Sequence, residues 1–240
     1  QKTLLRGGRD MAEKNLDFDT VIDRTHTNSL KYDFAVQRGK PKDVLPLWVA
    51  DMDFQVSSYI QEALSGNVAH GIFGYSEVEG SYFEAVAGWM SRHYGWNVEE
   101  TWLVKTPGIV FALAQAVRAF TEPGDAVLLQ QPVYYPFSQV IRDNGRKIVD
   151  NTLVQGEDGR YRIDFTDFEE KIRSAHVKLF FLCNPHNPVG RVWTKEELLR
   201  LGDICERYGV IVVSDEIHAD FVFEGSHQVC LLYTSDAADD

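Results

Sequence analysis

Two short apolar runs, Lys178 to Cys183 and Gly209 to Val213, constrain the fold of this chain more than any other feature. Neither shows the alternation of a strand with one wet face, so both read as buried parallel strands. One helix lies between them. Thr194 with Glu197 three residues later reads as a capping box, Leu198, Leu201, Cys205 and Tyr208 form an apolar stripe, and Gly209 ends it. A strand, a helix and a second strand in that order join as a crossover unit. The fold class is therefore α/β, a mostly parallel sheet with helices on both faces.

The same alternation extends upstream. Gly80 to Tyr94 sets Phe83, Val86, Ala87, Met90 and Tyr94 on one helical face, with Gly95 as a C-cap. Ala112, Leu113, Ala116, Val117 and Phe120 make a second stripe, stopped by Pro123-Gly124. Ala126 to Gln131 reads as a buried strand and Lys147 to Leu153 as another. Gly156 to Gly159 is turn chemistry, and Thr166 with Glu169 reads as the capping box of a short helix. Four segments result. Residues 1–10 precede Met11, a natural start, and read as an upstream or non-native extension. Residues 11–55 read as an N-terminal arm, extended and Pro-containing from Asp33 to Phe54. Residues 56–229 form an incomplete large domain, and 230–240, without periodicity, an artificial or truncated tail.

Composition narrows the partners. At 240 residues, 44% hydrophobic and 25% charged, the chain is an ordinary globular one. A net charge of −12 argues against nucleic acid or an anionic membrane as partner, because either would want a basic face. No run approaches the roughly 20 apolar residues of a membrane span. Gln1 to Asp10 holds no apolar h-region, so no secretory signal is visible. Cys183, Cys205 and Cys230 are widely spaced and odd in number, which favours a reducing cytoplasm.

Chemistry concentrates where the strands end, the place where ligands collect in open α/β sheets. Asn184-Pro185-His186-Asn187-Pro188-Val189-Gly190-Arg191 follows the first run and Ser214-Asp215-Glu216-Ile217-His218 the second. An amide and a carboxylate delivered there suit a cofactor with one oxygen to be bonded and one ring nitrogen to be kept protonated. Asp215 could instead cap a following helix, and Asn187 could be a turn former in a Pro-rich loop. A metal site built from Asp215, Glu216, His218 and His227 matches none of the usual zinc spacings. Thr106-Pro107-Gly108-Ile109-Val110 opens a helix, whose free amides and positive dipole end make a phosphate cradle. Tyr134, just past the strand Ala126 to Gln131, offers an aromatic face on which a ring could stack.

Together these strings resemble the fold type I pyridoxal-phosphate enzymes, the class I and II aminotransferases and their lyase relatives. The resemblance runs from about Phe18 to about His227. It implies pyridoxal 5′-phosphate as cofactor, with Asp215 facing the pyridine nitrogen and Asn187, rather than Asn184, donating to the phenolic oxygen. His218 would point to that same oxygen. Tyr134 would stack on the ring, and the amides at Gly108, Ile109 and Val110 would hold the phosphate. Tyr75, in Phe73-Gly74-Tyr75, matches a tyrosine that reaches the phosphate of a neighbouring subunit, which implies a homodimer.

The N-terminal half resembles the cystathionine β-lyase and C–S lyase branch through Asp23 to Asp33, Leu45 to Phe54 and Gly159 to Phe165. That branch implies substrate contacts at Ala50 or Asp51. The implied reaction is elimination of a thiol from cystathionine or another cysteine conjugate, giving pyruvate and ammonia. Residue spacing does not choose between elimination and transamination. The last lysine is Lys195, so the Schiff-base lysine and the C-terminal small domain are expected after residue 240. The chain then holds no catalytic residue and is expected to be inactive by itself. Two other readings stand beside this one. The chain could be a non-catalytic cofactor-binding or partner module, or a nucleotide-binding α/β domain, although no Gly-x-Gly-x-x-Gly follows a strand.

Overall fold

The computed structural model describes residues 17–225 and 228–230. The expected extension at 1–10 and the expected tail beyond Cys230 lie outside the described residues. Two compact units divide the chain, Gln1–Glu77 and Val78–Asp240.

The first unit is mostly irregular chain. Among its described residues the one α-helix, α1 (Ser58–His70), buries no residue. The stretch expected to be extended, Asp33 to Phe54, carries a short 3-10 helix at Val36–Arg38 and is otherwise free of helix and strand. The Asp33 carboxylate ties the preceding turn together, accepting from the backbone N–H of His26, Thr27 and Ser29 at 2.9, 3.1 and 3.0 Å. Such side-chain-to-backbone bonds replace the ladder that this stretch lacks.

The second unit begins with α2 (Gly80–Tyr94) and α3 (Ile109–Phe120), followed by β1 (Ala126–Leu129), α4 (Tyr135–Asp143) and β2 (Lys147–Asp150). A small hairpin, β3 (Val154–Gln155) and β4 (Tyr161–Arg162), leads to α5 (Phe165–Ala175). Strand β5 (Leu179–Cys183), helix α6 (Lys195–Tyr208) and strand β6 (Ile211–Asp215) close the order. Four strands form one sheet in the order β2–β1–β5–β6, every neighbour parallel. The expected α/β class and parallel sheet are what the chain adopts.

Why helices cover both faces follows from that order. The crossover from β1 through α4 to β2 runs one way along the sheet, and that from β5 through α6 to β6 runs the other. Crossovers of one hand that travel in opposite directions must lay their helices on opposite faces. The period-two alternation of the central strands then divides the interior in two. Ala126, Leu128, Phe180 and Leu182 pack with Phe168 and Ile172 of α5 and with Leu198, Leu201 and Ile204 of α6. Val127, Leu129, Leu179, Phe181 and Cys183 pack with Leu113 and Val117 of α3 and with Phe137, Val140 and Ile141 of α4. Burying each of these large side chains contributes about 1.5–3 kcal/mol.

Local signals hold in most places. The α2 stripe is half-buried and the helix buries no residue completely, while Gly95 closes it at φ 66°. Helix α6 has the full capping box: the Glu197 N–H donates to Thr194 Oγ1 at 3.2 Å, and the Thr194 N–H donates to Glu197 Oε2 at 2.9 Å. Helix α5 differs from expectation. Its cap is Asp164, not Thr166, and Asp164 Oδ1 accepts from the N–H of Thr166 and Asp167, each at 3.0 Å. A carboxylate satisfies the same orphan amides as a hydroxyl and also complements the helix dipole, so it takes the cap. Among the described residues, no helix is long and apolar enough to cross a membrane.

The capping box yields a measurement. Thr194→Ala removes one side-chain acceptor and leaves the α6 stripe intact, so it should cost about 1 kcal/mol. Phe180→Ala empties part of a core and should cost roughly 3–5 kcal/mol. Urea titrations of both variants should rank them in that order.

Candidate active site

The chain goes from β1 outward to β2, then returns past β1 to build β5 and β6 on its other side. A reversal of this kind opens a crevice beyond the carboxyl ends of the two strands that flank it. Those strands are β1 and β5. Their following loops carry Tyr134 and Asn187, and the next strand delivers Asp215.

Asp215 ends β6 opposite Cys183 of β5, and its main-chain carbonyl accepts the Asn184 N–H at 3.0 Å. Its side chain is 7% exposed. Oδ1 accepts the Ile217 N–H at 3.1 Å, which closes a turn and not a helix. Among the described residues no ion pair engages this carboxylate. Burial holds its pKa above the ordinary aspartate range, opposed by the Ile217 N–H and by the charge of His218. A buried carboxyl short of a cation is a ready partner for a protonated ring nitrogen.

The two asparagines of the β5 loop separate clearly. Asn184 is fully buried; its Nδ2 donates to the Val229 carbonyl at 3.1 Å and its Oδ1 accepts from the Trp193 N–H at 3.3 Å. Asn187 is partly exposed, and among the described residues no hydrogen bond takes up its side-chain amide. Only Asn187 has an amide to offer a ligand. Its backbone N–H donates to Cys183 Sγ at 3.4 Å. Burial pushes the Cys183 thiol up to about 12, so it serves as an apolar spacer and no thiolate nucleophile.

Tyr134 is the N-cap residue of α4 and 38% exposed. Its ring meets Phe137 edge-on at 6.4 Å, and Phe137 meets Phe181 edge-on at 5.5 Å. One face of the tyrosine is thereby anchored through α4 to β5. Gly108 is the N-cap residue of α3, and Ile109 and Val110 are its first helical residues, all exposed. A Cβ at Gly108 would meet no atom within 4 Å, so the helix start faces open space. His218 sits in the turn after Asp215, its ring edge-on to Phe221 at 6.4 Å. Asp220 follows, accepting from the Trp89 indole at 3.3 Å and from the Tyr94 hydroxyl of α2. Sequence reasoning missed this tether, because its partners lie more than a hundred residues apart.

Ala50, Asp51 and Tyr75 belong to the first unit. Ala50 and Tyr75 are exposed. Asp51 is not a free carboxylate: Arg24 Nη1 and Nη2 donate to it at 3.0 and 2.9 Å, and Nη1 also reaches Asp53 at 2.7 Å. These bonds hold both carboxyls below their ordinary range. Lys31, 5% exposed, donates to the Asp51 carbonyl at 2.6 Å and to Asp53 at 3.1 Å. The cluster grips a strained turn, since Val49, β-branched, has φ 65°. Among the described residues no group of three or more His, Cys, Asp or Glu side chains could hold a metal ion; His227 lies outside them.

Residues 42–238 match the profile of the family "Aminotransferase class I and II". Cystathionine beta-lyase PatB of Bacillus subtilis is 48% identical over 210 residues, covering 88% of this chain and 54% of the relative. Protein MalY of Escherichia coli is 35% identical, covering 86% and 53%. The crystal structure of cystalysin from Treponema denticola, which contains a pyridoxal 5′-phosphate cofactor, superposes with a TM-score of 0.86 at 36% identity, covering 93% and 57%. The chain spans about half the length of the relatives it matches.

Asp215 supplies a test of the site's electrostatics. Its folded pKa is raised, so its proton is held more tightly folded than unfolded. The associated stability is complete below the unfolded pKa, near 3.9, and is lost as pH rises through the folded value. At pH 7 burial of this titratable carboxyl costs stability that Asp215→Asn restores. The cofactor-free variant should melt above the parent at pH 7, by about 2–4 °C for each kcal/mol relieved. That advantage should disappear below about pH 4. A variant that melts below the parent at pH 7 contradicts the assignment.

Proposed function

This chain belongs to the class I and II aminotransferase family, and on that premise we propose that its strand-end site holds pyridoxal 5′-phosphate in a carbon–sulfur β-lyase. The substrate class is cystathionine or another cysteine conjugate, in keeping with the relatives named cystathionine beta-lyase. Asp215 carries the reading: a buried carboxylate that no ion pair engages among the described residues, at the end of the strand beyond the switch point.

The donor set fits the cofactor. Asp215 would hold a proton at the pyridine nitrogen, because the low-dielectric surroundings that penalise its lone charge strengthen a charge pair. Asn187 would donate its uncommitted amide to the phenolic oxygen, with His218 on the same side of the ring. Tyr134 would present the ring face that α4 leaves open. The amides of Gly108, Ile109 and Val110 would take the phosphate at the start of α3, where the helix dipole favours an anion. When bound, pyridoxal phosphate supplies the electron sink that allows a substrate Cα proton to be lost.

Substrate contact is proposed for the Ala50–Asp51 turn. With the Asp51 carboxylate committed to Arg24, that contact falls to Ala50 and the main chain around it. Tyr75 is proposed to reach the phosphate of a second copy, making the working form a homodimer; its exposed ring supports this. A cytoplasmic setting suits the buried thiols of Cys183 and Cys205.

Elimination and transamination share their first steps, and a supply of keto acid separates them. The full-length protein given cystathionine without any keto acid should release pyruvate and ammonia continuously. Product that appears only when an amino acceptor is added makes it an aminotransferase instead. Asp215→Ala should lower turnover at least about a hundredfold while cofactor stays attached, because the ring loses its proton and the sink with it. Turnover within a few-fold of the parent would falsify the role given to Asp215.

A further inference from the structure

Two loops on neighbouring strands must keep a fixed spacing if a flat ring is to fit between Tyr134 and Asn187. His186 lies where they meet. Its side chain is 2% exposed, and Nε2 is 3.0 Å from the Pro132 carbonyl oxygen, two residues before Tyr134. A carbonyl only accepts, so Nε2 carries the proton. Nδ1 is buried and, among the described residues, has no hydrogen-bond partner within bonding geometry.

The rest of the residue is immobilised. The His186 N–H donates to the Arg191 carbonyl at 2.7 Å, and its own carbonyl accepts the Gly190 N–H at 2.8 Å. The ring stands edge-on to Trp193 at 5.5 Å, and that indole donates to the Cys183 carbonyl at 3.0 Å. Burial keeps the imidazole's pKa below its ordinary value, so it remains a neutral donor. A histidine placed only to fill the core would leave nothing gained for its orphaned Nδ1, since an apolar side chain avoids that desolvation. Its ring bond to the Pro132 carbonyl crosses from the Asn187 loop to the Tyr134 loop.

We propose that His186 is a positioning residue: its bond to Pro132 fixes the separation of Tyr134 and Asn187, and so the width of the slot for the cofactor ring. The proposal rests on the cofactor reading above. His186 touches neither cofactor nor substrate; it acts through its neighbour Asn187 and through the loop that bears Tyr134.

The test uses the full-length protein and pyridoxal phosphate itself, comparing parent, His186→Leu, His186→Gln, Asn187→Ala and Asp215→Ala. Cofactor affinity and the visible circular dichroism of the bound cofactor are read, neither of which needs turnover. His186→Leu should weaken affinity about tenfold or more and flatten the dichroism. His186→Gln, whose amide can donate to Pro132, should return both to within about threefold of the parent. Parent-like affinity and dichroism in His186→Leu, while Asn187→Ala loses them, overturn the proposal alone. Parent-like binding in all of the variants overturns the cofactor reading and the proposal with it. Should His186→Leu fail to fold, nitrogen-15 spectra of histidine-labelled parent decide: the Nε2–H tautomer supports the proposal and the Nδ1–H tautomer overturns it.

Discussion

Everything placed at the site hangs on the parallel pairing of β1 with β5. Val127 sits beside Leu179 and Leu128 beside Phe180, and the Lys178 N–H extends the ladder to the Ala126 carbonyl at 3.0 Å. No short loop can join two parallel strands, so the chain must make a long excursion through α4, β2, the hairpin and α5 before β5 takes its place. That excursion is what leaves an open crevice at the strand ends, and both loops that border it start from this one pair.

Charge is handled in opposite ways in the two units. Around Val49, the Arg24–Asp51–Asp53–Lys31 cluster is closed: every carboxylate meets a cation, and the result is a held turn. At the end of β6 a buried carboxylate meets, among the described residues, a backbone N–H and a nearby histidine and no ion-pair partner. A satisfied ion cluster fixes structure, whereas an unsatisfied buried charge is a standing demand for a partner. That contrast separates Asp215, proposed above to meet a ligand, from Asp51, which the fold has already used.

Much of this could be read from the chain. The strand runs at 178–183 and 209–213 and the Thr194–Glu197 box are local signals, and tertiary structure left them in place. Helix α1 gave no such signal, because it buries nothing and so carries no stripe. Helix α4 is short and starts on Tyr135-Pro136, so its opening reads as loop chemistry. Asp164, two residues before Thr166, took the α5 cap because its carboxylate accepts both orphan amides and complements the helix dipole. His186 looked like part of a Pro-rich turn; its role lies in a bond across 54 residues, which no local pattern encodes. The choice of Asn187 over Asn184 was available only by resemblance, and the structure gives it a physical ground in the commitments of Asn184.

Phe180 and Phe181 are joined by a peptide bond, yet they share no core. The first stacks edge-on with Phe168 under α5, the second with Phe137 under α4. The sheet acts as a partition, so a change of volume on one side has no cavity to spread into on the other. Sequence drift can thus remodel the α5–α6 layer without disturbing the aromatic chain from Phe181 through Phe137 to Tyr134. The layer that bears on Tyr134 is insulated from the layer on the other face of the sheet.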